Sequence, residues 1–221
     1  MKQLLIALQF LSIIPVRIKS ELEDRDFGES LLYFPLIGLL IGVILSAAAI
    51  LLRGGNPLVR GAVLLIISVI VTGGIHLDGL ADTLDGFYGG RDKERILEIM
   101  RDSSIGAIGA IGLALVLILK FSLYASYPTH TLWRVLIASS IFSRWAQTLA
   151  CSISTYARED GKGRAFVEHA DKNRLIIATL FTVGASFILM GVKGFLIFFV
   201  SSLLIFIFVR YVEARIGGMS G

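Results

Sequence analysis

Six apolar runs set the first limit on this chain: Leu31 to Leu52, Leu58 to Ile75, Gly106 to Ala125, Leu132 to Ile153, Leu175 to Val192 and Gly194 to Val212. At about 1.5 Å per helical residue, around 20 residues cross the roughly 30 Å of hydrocarbon in a bilayer. Lipid offers no partner to a free peptide group, so such a run must be a helix unless its segments close into a barrel. Barrel strands alternate apolar and polar side chains, and these runs do not alternate. Composition agrees, with 55% hydrophobic residues against 17% charged. The expected fold is an all-α polytopic membrane protein with about six transmembrane helices.

A shorter run, Leu4 to Val16, contains Gln9 and is stopped by Pro15 and the charges beyond it. It is too short to span and is expected to form an interfacial or re-entrant helix. A secretory signal peptide is the competitor, but no small-x-small cleavage pattern follows, and RIKSELEDRDFGES has the character of a retained loop. The single cysteine, Cys151, falls inside a predicted span, so disulfides are excluded. No repeat or low-complexity linker divides the chain, and residues 1–221 are expected to form one integral membrane domain.

Basic residues favour the cytoplasmic side of short connections. Lys and Arg number four before the first run, two in the next connection, four in residues 76–105 and two around the following turn. Residues 154–174 hold five, the last turn has Lys193, and the tail has Arg210 and Arg215. High and low alternate, which puts both termini and the two long polar connections in the cytoplasm of a cell that carries this protein in its inner membrane. All 17 acidic residues then share that side. The net charge of +4 reads as a topology signal with affinity for anionic membrane lipid, and no nucleic-acid partner is expected.

The stretch GGIHLDGLADTLDGFYGG, residues 73–90, is unusual at the end of an apolar run because it carries Asp78, Asp82 and Asp85 beside His76. As a helix, steps of 100° bring the three aspartates within an arc of about 60° and put Leu77, Leu80 and Leu84 on the opposite side. Gly79, Ala81 and Gly86 flank the acids. Carboxylates about 6 Å apart at an effective dielectric near 20 repel by about 3 kcal/mol per pair, so a cation is expected among them. Oxygen ligands without cysteine suit Mg²⁺ or Mn²⁺ better than zinc. The plain alternative is a solvated helix face; the small flanking residues and the position at a span end argue for a metal-binding, catalytic stripe. For His76 a substrate role and a membrane-boundary role stand level.

The connection continues as RDKERILEIMRDSSIGAIG. Helical spacing through it would gather Arg91, Arg95, Glu98 and Asp102 in one arc, adding two carboxylates and two phosphate-capable guanidiniums to the site. An ordinary amphipathic helix with i,i+4 ion pairs is the alternative. Gly106, Gly109 and Gly112 at spacing three point to tight helix packing ahead of close approach to a ligand. Arg144 lies inside a predicted span with Gln147 one turn on; such an arginine is costly unless it faces a cavity or a partner, here the carboxylates or an anionic substrate. Arg158, Lys162 and Arg164 surround two glycines in YAREDGKGRAF, where a phosphate loop and simple positive-inside charge weigh equally.

Acids for a metal, basic groups for phosphate and a location at lipid level describe phosphoryl-linked group transfer between a hydrophobic and a polar substrate. The stretch HLDGLADTLDGFYGGRDKERILEIMRDSSIGAIG, with FPLIGLLIG, SRW and YAREDGKG, closely resembles the cobalamin synthase (adenosylcobinamide-GDP ribazoletransferase) family over nearly the whole chain. The resemblance implies a polytopic, Mg²⁺-dependent enzyme that joins adenosylcobinamide-GDP to α-ribazole or its 5′-phosphate and releases GMP. It implies Asp78, Asp82 and Asp85 as Mg²⁺ ligands, and Glu98, Arg101, Asp102 and Ser103 as its second block, EIMRDS. Arg91, Arg95, Arg101, Ser103, Arg144, Arg158 and Lys162 are the expected substrate-binding residues. The family pattern goes on after the last span with a glycine-rich segment, another aspartate and a hydrophobic helix; this chain, ending EARIGGMSG, is expected to lack that element. Oligomerisation is left open.

Two other readings are weaker. A CDP-alcohol phosphotransferase also uses spaced aspartates at a membrane surface, but its Asp-Gly-x-x-Ala-Arg sequence is absent from DGLAD. A divalent cation transporter would place its carboxylates at mid-bilayer, and here they fall in a connection.

Overall fold

The computed structural model describes residues 1–161 and 163–220. Eleven α-helices account for nearly all of the described chain: α1 (Lys2–Leu11), α2 (Asp24–Ser30), α3 (Phe34–Leu51), α4 (Pro57–Thr72), α5 (Ile75–Gly89) and α6 (Lys93–Ile99) come first. They are followed by α7 (Ala107–Ser126), α8 (Thr129–Ile153), α9 (Arg164–Glu168), α10 (Lys172–Met190) and α11 (Val192–Ile216). No strand occurs among the described residues, and one isolated parallel bridge pairs Tyr156 with Met219.

Four helices are long and apolar enough to cross a membrane: α2 and α3 as one continuous stretch, α7, α10 and α11. A fifth span is added if α4 and α5, which meet at a 90° bend, are taken together. Four or five of the six expected runs meet that measure of length and composition, and two of the runs depart from simple apolar spans. The run from Leu58 ends at Thr72, because Gly73 and Gly74 both take left-handed φ (63° and 70°) and turn the chain out of line. The run from Leu132 does form α8, which is long enough at 25 residues, but its serines, Arg134, Arg144 and Gln147 make it too polar to be counted by composition.

A polar helix inside a bilayer needs protein around it, and α8 has it. It packs along α3, where Gly38 and Gly42 let the two backbones approach: a Cβ on Gly42 would lie 2.6 Å from the Cα of Ile137. The Ser46 hydroxyl donates to Trp133 O (2.9 Å) and the Thr148 hydroxyl to Leu31 O (3.0 Å) across the same seam. Small residues with hydroxyl bonds are how helices associate where lipid removes the hydrophobic drive. On its other side Trp145 packs with Phe198 and donates its indole N–H to Thr179 of α10 (2.8 Å). By contrast α7, α10 and α11 leave rows of Leu, Ile and Phe exposed, including Leu115, Leu119, Leu180, Phe199 and Leu203. These rows are the lipid-facing surface.

The two ends of the bundle differ. At one end the buried Arg60 of α4 donates to the Thr129 hydroxyl (2.6 Å) and to the carbonyls of Ala125 (3.0 Å) and Tyr127 (3.1 Å), closing the C-terminus of α7. Those carbonyls have no partner within their own helix. Replacing Arg60 by Met should therefore cost about 1–3 kcal/mol of stability, read as a lower melting temperature in detergent; an unchanged melt would show that water satisfies this end.

At the other end α2, α5, α6, α9 and the C-terminal residues gather. The first apolar run becomes α1, short as expected, and lies against α2 and α3. Lys2 pairs with Asp26 (2.6 Å) and Arg174 with Glu29 (2.7 Å), tying the start of α1 and α10 to α2. The chain end is tied in too: Met219 N donates to Thr155 O (2.8 Å), Ala157 N donates to Met219 O (2.8 Å), and Arg215 donates to Phe87 O (3.2 Å).

Candidate active site

The acidic stretch forms α5 as its periodicity predicts, lying across the polar end. The three aspartates do not act alike. Asp85 turns to the N-terminus of α7, where its Oδ2 accepts from Gly106 N and its Oδ1 from Gly109 N, both at 2.8 Å. The free N–H groups and partial positive charge of a helix start bind a carboxylate well. Gly106 and Gly109 are glycines because a Cβ on either would collide with this carboxylate, and one on Gly112 would collide with Leu84. The glycine triplet is thus a packing face, with α5 as its partner.

Asp85 thus acts as a cap, set apart from the other two aspartates of the expected cradle. Among the described residues no three His, Cys, Asp or Glu side chains come together closely enough to hold a metal ion by themselves. We expect Asp85→Ala to cost about 1–3 kcal/mol, since two α7 amides lose a charged acceptor. A melting temperature equal to the parent's would contradict the cap.

Asp78 and Asp82 remain. Asp78 is exposed and Asp82 half-buried, one helical turn apart, with Gly79 facing open space between them. Burial pushes the Asp82 carboxyl above its usual range, and the charge of Asp78 pushes it further. Arg158 pulls the other way, and Asp85 adds to the rise. Among the described residues neither Asp78 nor Asp82 has an ion-pair partner within 4 Å. Two adjacent carboxylates with mutual repulsion and an open approach fit Mg²⁺, which prefers one or two protein carboxylates completed by substrate phosphates and water to a full protein cage.

The second acidic and basic arc does not form. Asp92 caps α6 by accepting from Arg95 N (2.9 Å), and the helix ends at Ile99 with Met100 as its C-cap, so Arg91 and Asp102 lie outside it. Arg95 pairs with Glu98 on the surface (2.7 Å), as the plain amphipathic alternative has it. Asp102 accepts from Ser104 N (2.9 Å) and from its hydroxyl, which hold its carboxyl below the usual range. Ser103 and Arg91 are exposed. The buried face of α6 is Ile96, against Gly86 and Gly90 of the preceding helix and loop. Arg101 reaches Asp160 (3.2 Å) and so joins this segment to the loop before α9. In that loop Arg158 lies near enough to act on Asp82, with its Nε buried and unpartnered. Arg164 is engaged by Glu168 (2.8 Å), and Lys162 lies outside the described residues.

Beneath the aspartates the polar groups are basic. His76 Nε2 stands 3.4 Å from Gln147 Nε2, and the charge of the buried Arg144 acts on both His76 and Lys120. Lys120 belongs to this interior and not to the turn after α7, a placement that its position inside an apolar run could have signalled. Arg215, which holds the α5 C-terminus, carried no such signal.

The cobalamin-5-phosphate synthase family model matches residues 3–221. Curated relatives named adenosylcobinamide-GDP ribazoletransferase include one from Geotalea daltonii, 36% identical over 98% of this chain and 87% of the relative. Another from Pseudomonas aeruginosa is 38% identical over 100% and 90%, and one from Clostridium novyi is 33% identical over 100% and 89%. No solved structure matches. With a helical membrane fold, paired carboxylates at its polar end and a match along essentially the whole sequence, the chain is an enzyme of the cobalamin-5-phosphate synthase family.

Proposed function

We propose that this enzyme joins adenosylcobinamide-GDP to α-ribazole or its 5′-phosphate, giving adenosylcobalamin or its 5′-phosphate and GMP, at the cytoplasmic face of the inner membrane. The observation that carries the reading is the pair Asp78 and Asp82, close, unpaired and open, at the lip of the bundle beside Arg158. These two carboxylates would hold Mg²⁺, or Mn²⁺ in its place, which when bound neutralises the diphosphate and the departing GMP.

The residues of the chain supply position and charge. Arg158, whose charge acts on Asp82, offers a guanidinium to a phosphate oxygen. The acceptor's ribose 3′-hydroxyl attacks the phosphorus on the cobinamide side; the bond from that phosphorus to the bridging oxygen breaks, and GMP leaves with the electron pair. The hydroxyl proton passes to a carboxylate of the α5 stripe. Arg91, Arg95, Arg101, Glu98, Asp102 and Ser103 sit on the neighbouring surface, where a large corrinoid nucleotide would pass. The exposed α7, α10 and α11 faces keep the enzyme in lipid.

Purified enzyme in detergent should release GMP from adenosylcobinamide-GDP only when both a divalent cation and α-ribazole, or its 5′-phosphate, are present. Metal flux in proteoliposomes without GMP release would favour a transporter and sink this reading.

A further inference from the structure

Two buried arginines invite comparison. Arg60 spends its guanidinium on Thr129 and the carbonyls at the end of α7. Each has a buried Nε without a partner, but Arg144, equally enclosed with 7% of its surface exposed, has no hydrogen bond or ion pair at all from its side chain to the described protein. The groups nearest in charge are basic as well: His76 from α5 and Lys120 from α7. Lys120 Nζ reaches toward the Ser68 hydroxyl of α4 at 3.4 Å, and Gln147 of α8 stands 3.4 Å from His76. The Ser68 hydroxyl accepts from Lys120 and gives its own proton to Leu65 O, so donors from three helices, α5, α7 and α8, converge here, with no carboxylate among them in the described residues. The cation that answers Asp82 is Arg158, so the acidic rim does not neutralise this interior.

Taking a charge out of water costs several kcal/mol unless a counter-charge meets it. A bundle that keeps Arg144 and Lys120 together without one is built for an anion that arrives from outside. A planar guanidinium with an ammonium beside it matches the oxygens of phosphate.

We propose that Arg144, Lys120 and His76 form a phosphate-binding site inside the helix bundle, beneath the Asp78–Asp82 rim, and that it takes a phosphomonoester. Resting on the reaction described above, the group it receives is the 5′-phosphate of the acceptor nucleoside, which would hang below the ribose hydroxyl that reacts at the rim. A lipid whose headgroup is a phosphomonoester offers the same chemistry.

The full chain, purified in uncharged detergent without added metal, is titrated with inorganic phosphate and its melting temperature followed. The parent should be stabilised by millimolar phosphate, and Arg144→Gln should lose that response by at least about tenfold in apparent affinity, a loss of about 1.4 kcal/mol. Without phosphate, Arg144→Gln should melt no lower than the parent, because an unpaired buried charge has gone; Arg144→Lys should keep a weakened response. Asp82→Asn should keep the phosphate response in full while losing turnover, so the two readings fail separately. For the source, Arg144→Gln should raise KM for the phosphorylated acceptor at least about tenfold and leave KM for unphosphorylated α-ribazole unchanged. If both KM values hold and binding to phosphatidic acid nanodiscs is lost instead, the site is a lipid headgroup site. A parent that ignores phosphate, or an Arg144→Gln protein that responds as the parent does, overturns the proposal.

Discussion

Asp82→Asn should lower turnover by about 100-fold or more, the size of loss that follows removal of one charged group acting on a transition state, while the protein melts at or above the parent temperature. The two halves of that result have one cause. Asp82 is held where burial and Asp78 oppose its ionisation, so its negative charge is a cost to the fold and an asset only when a cation and a phosphate are present. Asparagine keeps the shape, removes the repulsion and cannot offer a full charge. Turnover within a few-fold of the parent would remove Asp82 from the reaction. A large drop in melting temperature would make it a structural residue like Asp85, whose carboxylate caps α7.

The second large effect concerns the seam between α3 and α8. Gly42→Leu should cost about 3 kcal/mol, at the upper end of overpacking penalties, and reduce the yield of monodisperse protein in detergent. A Cβ at Gly42 meets the Ile137 backbone at 2.6 Å and one at Gly38 meets Ser140 O at 2.5 Å, and backbone atoms cannot swing aside as side chains do. Leu40→Ala, on the outward face of the same helix where Leu40 is exposed, is the control and should melt within about 1 kcal/mol of the parent. Equal behaviour of the two variants would mean that α3 and α8 are not in close contact.

What could be read from the residues follows from which physics is local. Lipid forces an apolar run into a helix wherever it sits, so α3, α7, α10 and α11 were legible within a few residues. The stripe of Asp78, Asp82 and Asp85 was legible because a 100° step needs no knowledge of the rest of the fold. Its partition was not. Whether Asp85 meets a metal or an amide depends on where the N-terminus of α7 comes to lie, and that is settled by tertiary packing of residues 21 and 24 positions further on. The glycines at 106, 109 and 112 announced a close approach without naming what approaches.

The arc from Arg91 to Asp102 failed for a local reason that was available. Asp92 is a strong N-cap residue, and a helix that begins after it excludes Arg91 from the face. GLLIG, from Gly38 to Gly42, is likewise a small-xxx-small pattern in an apolar helix and marks the α8 seam. Lys120, one of the two basic residues counted around the turn after the run Gly106 to Ala125, sits within α7, and the length of the apolar run around it makes that single charge conspicuous.

In the proposed reaction Asp78 and Asp82 act as a pair that binds metal together with a phosphate ligand. Mn²⁺ binding to the full chain in detergent, with adenosylcobinamide-GDP present and read by electron paramagnetic resonance, tests that pairing directly in the parent and in Asp78→Asn, Asp82→Asn and Asp85→Asn. The parent should bind Mn²⁺ saturably; Asp78→Asn and Asp82→Asn should each lose that binding, and Asp85→Asn should retain it while melting lower. Undiminished Mn²⁺ binding in Asp82→Asn, or loss confined to Asp85→Asn, would contradict it.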